Sequence, residues 1–182
     1  MKTIVIVLLT IIILLAITSA IYIILYNRLQ FAKIRIDEAE KVILEELQNR
    51  FDLIMKAKPT IEKNTKMDLN LFSELEKSKK SNVSSYDFDK RITESVNTIY
   101  TILNDYPKLD EKKEFMEIIR KLEESDTKIN AAKDFYNKNN SILILLIRKF
   151  PSNIVALIHK ISIQPYYEAK EIFNEVDDGI KI

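Results

Sequence analysis

His159 is the only histidine of this 182-residue chain, and there is no cysteine. Metal sites and nucleophile–base pairs generally want partners around such a residue, and with no Cys and no second His a catalytic or metal role is not expected of His159. The carboxylates could still serve a bundle-type dimetal centre, which takes Glu-x-x-His from its helices. No Glu here is followed by His three residues later. Glu45-Glu46, Glu123-Glu124 and Asp177-Asp178 then read as solvated faces that pair with Lys along helices. The one glycine, Gly179, cannot build a phosphate-cradling loop. These residues point to no enzyme, no metal and no cofactor.

The elements that would position any site are helices. One Gly, four Pro and no Trp against 30% charged residues favour long helices over sheets, because helices tolerate Gly and Pro least. Stepping three and four residues alternately from Phe115 gives Ile118, Leu122, Ser125, Ile129, Ala132, Tyr136, Asn139, Leu143, Leu146 and Phe150, a coiled-coil-like seam along one long helix between Asp110 and Lys149. Ser125 and Asn139 interrupt it, and buried polar seam residues set register at some cost in stability. A second stripe runs through Ile36, Ala39, Ile43, Leu47, Phe51 and Ile54, with a kink or restart expected at Pro59. Residues 60–79 read as weakly helical, with Leu69, Phe72 and Leu75 on one face, and Lys79 to Ser85 as a solvated loop. Phe88, Ile92, Val96, Ile99, Leu103 and Tyr106 form a further stripe, capped by Ser85 or Asp87 and closed by Pro107.

Residues 3–26 are uncharged throughout, longer than the roughly 20 residues a helix needs to cross hydrocarbon. A cleaved signal peptide is the alternative, but its apolar run is normally about 7–15 residues and this one continues past Thr18-Ser19-Ala20. Tyr22 and Tyr26 would lie at one interface. Only Lys2 precedes the span while Arg28, Lys33, Arg35 and Lys41 come after it, so the N-terminus is expected outside and the rest in the cytoplasm. With formal charge +1 and interspersed signs there is no basic stripe for nucleic acid.

At the far end, Ile142 to Ile147 is apolar all round and reads as buried from several sides. A short amphipathic helix over Ile154–Ile161 comes next, then an extended tail from Pro165 with frayed last residues. Counting helices brings Phe150 back to the level where Tyr26 emerges. The segment 142–163 then either lies at the membrane interface or plugs the bundle end.

Several local words resemble the LemA family of bacterial membrane-anchored helical proteins. They are Tyr26-Asn27-Arg28-Leu29, Asp37-Glu38-Ala39, Leu47 with Arg50-Phe51-Asp52-Leu53-Ile54, Tyr106-Pro107-x-Leu109, Tyr136-Asn137, Phe150-Pro151-Ser152-Asn153 and Pro165-Tyr166-Tyr167-Glu168. The chain departs from the pattern at Glu40, Met55 and Leu143-Ile144. The resemblance implies an all-α protein: a transmembrane anchor (1–26), an up-and-down bundle of about four helices (27–168) and a tail (169–182). It singles out Tyr26, Asn27, Asp37, Glu38, Arg50, Asp52, Tyr136, Asn137, Phe150, Pro151, Asn153 and Tyr167 as interaction or motif positions. It implies no activity.

The expected function is a single-pass, non-enzymatic scaffold or adaptor at the cell membrane, held in lipid by residues 3–26 and binding a protein partner. The alternative is a receptor-like bundle enclosing a small ligand near Tyr136 and Asn139.

Overall fold

The chain folds as helices joined by short connections, as a sequence this poor in Gly and Pro requires. The computed structural model describes residues 2–65, 70–80 and 85–169. In order they form α1 (Lys2–Asn64), α2 (Asn70–Lys80), α3 (Ser85–Asp105), a 3-10 turn (Pro107–Leu109), α4 (Lys113–Arg148), α5 (Ser152–Ile158) and a second 3-10 turn (Tyr167–Ala169), with no strand among the described residues. The tail from residue 170 and the loop residues 81–84 lie outside the described residues, as does Leu69.

The chain divides into two units. One comprises residues 38–136 and the chain from 166 onward. Within it α1 contributes the predicted stripe: Ala39, Ile43, Leu47, Phe51 and Ile54 are all buried. Pro59 does not restart the helix, which runs through it to Asn64. An interior Pro costs about 3 kcal/mol, but Ala57 and Ile61 continue the stripe at full burial. Burying one Ile is worth about 1.5–3 kcal/mol, so extending the stripe offsets most of the loss. The segment read as weakly helical holds α2, which buries Phe72 and Leu75. On α3 the buried line is Asp89, Ile92, Val96, Ile99 and Ile102, so Ile102 takes the place expected for Leu103. Asp105 is its last residue and Pro107 opens the 3-10 turn.

The other unit comprises residues 1–37 and 137–165. The apolar window of α1 has mean hydropathy 3.1 and none of it is buried. Leu29, Ala32 and Ile36 farther along are buried. At the end of α4, only Leu143 of the run 142–147 is buried and Leu145 is 67% exposed, which corrects the expectation of burial on several sides. Phe150, expected on the seam, is 73% exposed. An ideal helix drifts about 20° per heptad against a 3.5-residue step, and α4 has already ended at Arg148. Near the start of the seam Ile119, not Ile118, is among the buried residues, the first step from Phe115 being four and not three.

The turn after α4 is closed by Ser152, whose single hydroxyl proton is shared between the carbonyls of Leu146 (2.6 Å) and Lys149 (2.8 Å). It thereby satisfies acceptors a helix C-terminus leaves open. Helix α5 leaves at 96° to α4. It ends in a Schellman arrangement: Ile161 N–H donates to Ala156 O (2.9 Å), Lys160 N–H to Leu157 O (3.2 Å), and Lys160 adopts φ 52°. Asn140, fully buried, donates to the carbonyls of Gln164 (2.8 Å) and Pro165 (3.1 Å), pinning the chain beyond α5.

Charge divides unevenly between the units. Residues 1–37 and 137–165 carry eight Lys or Arg and a single acid, Asp37. The interspersed signs of the linear sequence conceal this.

If the seam of α4 is the core, Leu122→Ala or Ile129→Ala should destabilise the fold by about 2–5 kcal/mol in urea titrations. Lys138→Ala, on the exposed face, should leave the midpoint nearly unchanged.

Candidate functional site

In the unit of residues 38–136 and 166 onward, the polar groups gather at two places. At the first, α3 carries Asp89, α4 carries Lys133 and, one turn on, Tyr136, and the second 3-10 turn brings Tyr167. The Lys133 ammonium meets Asp89 at 2.5 Å, with only 7% of the Asp89 side chain exposed. The same ammonium lies 5.0 Å from the centre of the Tyr167 ring. Tyr136 and Tyr167, each 1% exposed, pack edge to face with centroids 5.9 Å apart, an arrangement that aromatic quadrupoles favour. Tyr86 approaches Tyr167 at 6.5 Å.

Burial, followed by the negative charge of Asp89, holds the proton-loss equilibrium of Tyr167 far above the ordinary phenol range. Tyr167 is therefore a neutral phenol at any physiological pH and offers neither a base nor a nucleophile. The Asp89 charge is offset by Lys133. A buried pair of this kind adds little net stability, but removing one partner strands a charge.

The second place lies between α1 and α4. Arg50, its side chain 4% exposed, reaches Asp126 at 2.9 Å. One turn toward the N-terminus of α1, Glu46 accepts from the Ser125 hydroxyl (3.0 Å) and from Lys128 (3.3 Å). Ser125, read as a register-setting polar seam residue, does bond across helices. Burial pulls the Glu46 carboxyl upward, but bonds from Ser125, Asn49 and Lys128 outweigh it and leave the group below the usual carboxylate range. Burial and Glu123 raise Tyr100, against the pull of Arg50.

The positions singled out from the sequence do not converge. Tyr136 and Tyr167 do meet. Arg50 and Asp52, two residues apart on a helix, face different neighbours: Asp52 pairs with Lys79 of α2 (3.6 Å), which also covers the Phe51 ring (4.0 Å). Asp37 and Glu38 are exposed. Glu38 and Lys128 flank a groove of about 460 Å3, lined chiefly by Val42, Ala131, Ala132 and Phe135.

In the other unit, Tyr26 packs against the His159 ring (4.5 Å) and Asn27 is exposed. The backbone carbonyl of Asn137 accepts from Ser141 (2.9 Å). Phe150 and Pro151 are exposed in the turn before α5, and Asn153 accepts from the Ile154 N–H (3.0 Å). Phe150, Pro151 and Asn153 thus belong to the turn into α5 and its first residues, while Tyr26, Asn27 and Asn137 lie within helices. Among the described residues no group of three potential metal ligands gathers.

The sequence profile of the LemA family matches residues 39–178. The chain belongs to the LemA family. The match spans most of the chain but begins at Ala39, so the LemA-like words at Tyr26-Asn27 and Asp37-Glu38 fall outside it. No curated protein matches the chain as a relative. Within the matched stretch, sequence reasoning missed Asp89, Lys133, Glu46 and Asp126. Asp89 escaped because Phe88 beside it looked like the core residue. Phe88 is only half-buried, 6.1 Å from Phe51.

Lys133→Met should cost about 3–5 kcal/mol in urea unfolding, by stranding the Asp89 charge. Adding Asp89→Asn should recover a large part, and additive losses would show that the pair is not coupled.

A second expectation concerns pH. Because the folded value for Glu46 is depressed, its bonds stabilise the fold above an unfolded carboxylate value of about 4.3. That contribution is lost as pH falls through the folded value. Glu46→Gln should lower the urea midpoint at neutral pH, and its difference from the parent should close in acid.

Proposed function

We propose that this LemA-family chain is a single-pass, membrane-anchored, non-enzymatic scaffold whose bundle binds a protein partner on the cytoplasmic side. The observation that carries the non-enzymatic reading is that the interior charges are spent on one another. Arg50 is answered by Asp126 and Asp89 by Lys133, while Tyr167 is held as a neutral phenol. A catalytic group would need a free reacting atom at a concave site. The receptor-like alternative is weakened because the Tyr167 ring occupies the space beside Tyr136.

Anchoring is supported by the uncovered apolar window of α1. The orientation is supported by charge near the span. Beyond its Tyr26 end the same unit carries Arg28, Lys33, Arg35, Arg148, Lys149 and Lys160, against Lys2 alone at the other end, and such excess marks the cytoplasmic side. Partner binding is supported by the apolar groove beside Val42 and Phe135, with Glu38 and Lys128 at its lips.

Since the chain has no Cys, Lys108→Cys, at an exposed position, gives a clean topology probe. It should resist a membrane-impermeant thiol reagent in intact cells and react after lysis. Labelling in intact cells would contradict the cytoplasmic placement. Capture from detergent-solubilised native membrane should retain a protein that Phe135→Glu loses. A small molecule retained without any protein would favour a receptor.

A further inference from the structure

Helix α5 is amphipathic across its short length. Ser152, Val155 and Ala156 are buried, whereas Ile154, Leu157 and Ile158 are 48%, 80% and 59% exposed. Phe150 in the turn before it and Leu145 on the last turn of α4 extend the apolar surface, at 73% and 67% exposure. Such side chains, standing out together from one unit, need a cover other than water.

The same unit fixes the depth of this surface. His159, the residue that ends α5, lies with Nε2 2.7 Å from the Tyr22 hydroxyl. Its ring is 4.5 Å from that of Tyr26. Tyr22 and Tyr26 close the uncharged run, and Arg28 is the first charge beyond it. From Tyr22 to Arg28 a helix rises about 9 Å, comparable to the roughly 5–8 Å of one headgroup layer. Helix α5 is therefore set where acyl chains give way to headgroups. The Schellman turn at Lys160, with its positive φ, ends α5 directly after His159.

Charge selects the lipid. Arg148, Lys149 and Lys160 flank α5, and no acidic residue occurs from 137 to 165. Lys and Arg near an anionic leaflet are drawn to its headgroups. Apolar side chains between cations suit an interfacial helix.

We propose that α5 and Phe150 form a second membrane contact, buried at the headgroup–acyl boundary of an anionic leaflet on the side where the α1 span ends. This rests on the reading of residues 3–26 as a span. The occupant is lipid and not a protein, because the surface adjoins the end of the span and carries the charge that anionic headgroups attract. The contact fixes the rotation of α1 about its own axis, since α5 is bonded to one side of it. The segment is thus no mere plug for a bundle end.

The chain has no Trp, so single Trp reporters test this in the full-length protein. Leu157→Trp, Ile154→Trp, Ile13→Trp and Leu44→Trp would each be reconstituted into phosphatidylcholine–phosphatidylglycerol vesicles. Helical content would be checked by circular dichroism. Lipids brominated near the top of the acyl chain should quench Leu157→Trp and Ile154→Trp several-fold more than Leu44→Trp, which reports from an exposed position of the other unit. Iodide should show the reverse order.

If Leu157→Trp and Ile154→Trp are as open to iodide as Leu44→Trp while Ile13→Trp is quenched by lipid, the second contact is wrong and the anchor stands. If Ile13→Trp also escapes lipid quenching, both fail. Reporters shielded from iodide but untouched by brominated lipid would mean that protein covers α5, which overturns the proposal. Quenching unchanged in pure phosphatidylcholine would overturn the assignment to anionic lipid.

Discussion

Apolar surface that no part of the protein covers must be covered by something else, and residues 3–26 of α1 impose that constraint on the rest. About twenty apolar side chains stand there, with none of the window buried. Removing each from water is worth about 1.5–3 kcal/mol. Their sum exceeds the roughly 5–15 kcal/mol that stabilises a whole domain. No rearrangement of a small bundle could pack them all, whereas a bilayer takes a helix of this length with every backbone group satisfied internally. On the proposed reading of residues 3–26 as a span, the residues just beyond it meet headgroups first, and the excess of cations over acids in that unit suits such a location.

The bundle unit obeys a different rule. Among the described residues its buried charges are paired: Arg50 with Asp126, Asp89 with Lys133. Burying an ion costs several kcal/mol even after relaxation, so such pairs add little stability and mainly penalise wrong arrangements. Asp126 is half exposed while Arg50 is almost wholly covered, so one partner keeps its water while the other fixes how α1 meets α4. Ser125 and Glu46 do the same one turn away. Arg50, Glu46 and Ser125 thus join α1 to α4, while Tyr136 and Tyr167 pack on each other.

Whatever depends on period was legible in the sequence. The α1 stripe and the middle of the α4 seam, Leu122 to Leu143, were placed correctly because each residue's burial follows from its neighbours three and four positions away. The errors arose where distant parts of the chain decide. Pro59 stays within α1 because Ile61 beyond it is buried. Asp89 faces inward because Lys133, far along the chain, awaits it. Phe150 left the seam because α4 ends before it, at Arg148, and the chain turns into α5. The charge contrast between the units was hidden for the same reason that Asp89 was, its two basic segments being separated by most of the sequence. The cross-helix bonds of Glu46 and Arg50 left no local signal at all.

The central claim, that residues 3–26 lie in lipid, is tested most directly by single-Cys spin labels placed one residue at a time through that stretch of the Cys-free chain in bilayers. Collision with oxygen relative to a water-soluble nickel chelate should rise from Tyr26 to a maximum near Ile13 and fall again toward Thr3, with no side of the helix shielded before Tyr22, where His159 first meets it. A profile dominated by the nickel chelate throughout, or one with a helical period marking a protein-covered face between Thr3 and Ile21, would contradict the account.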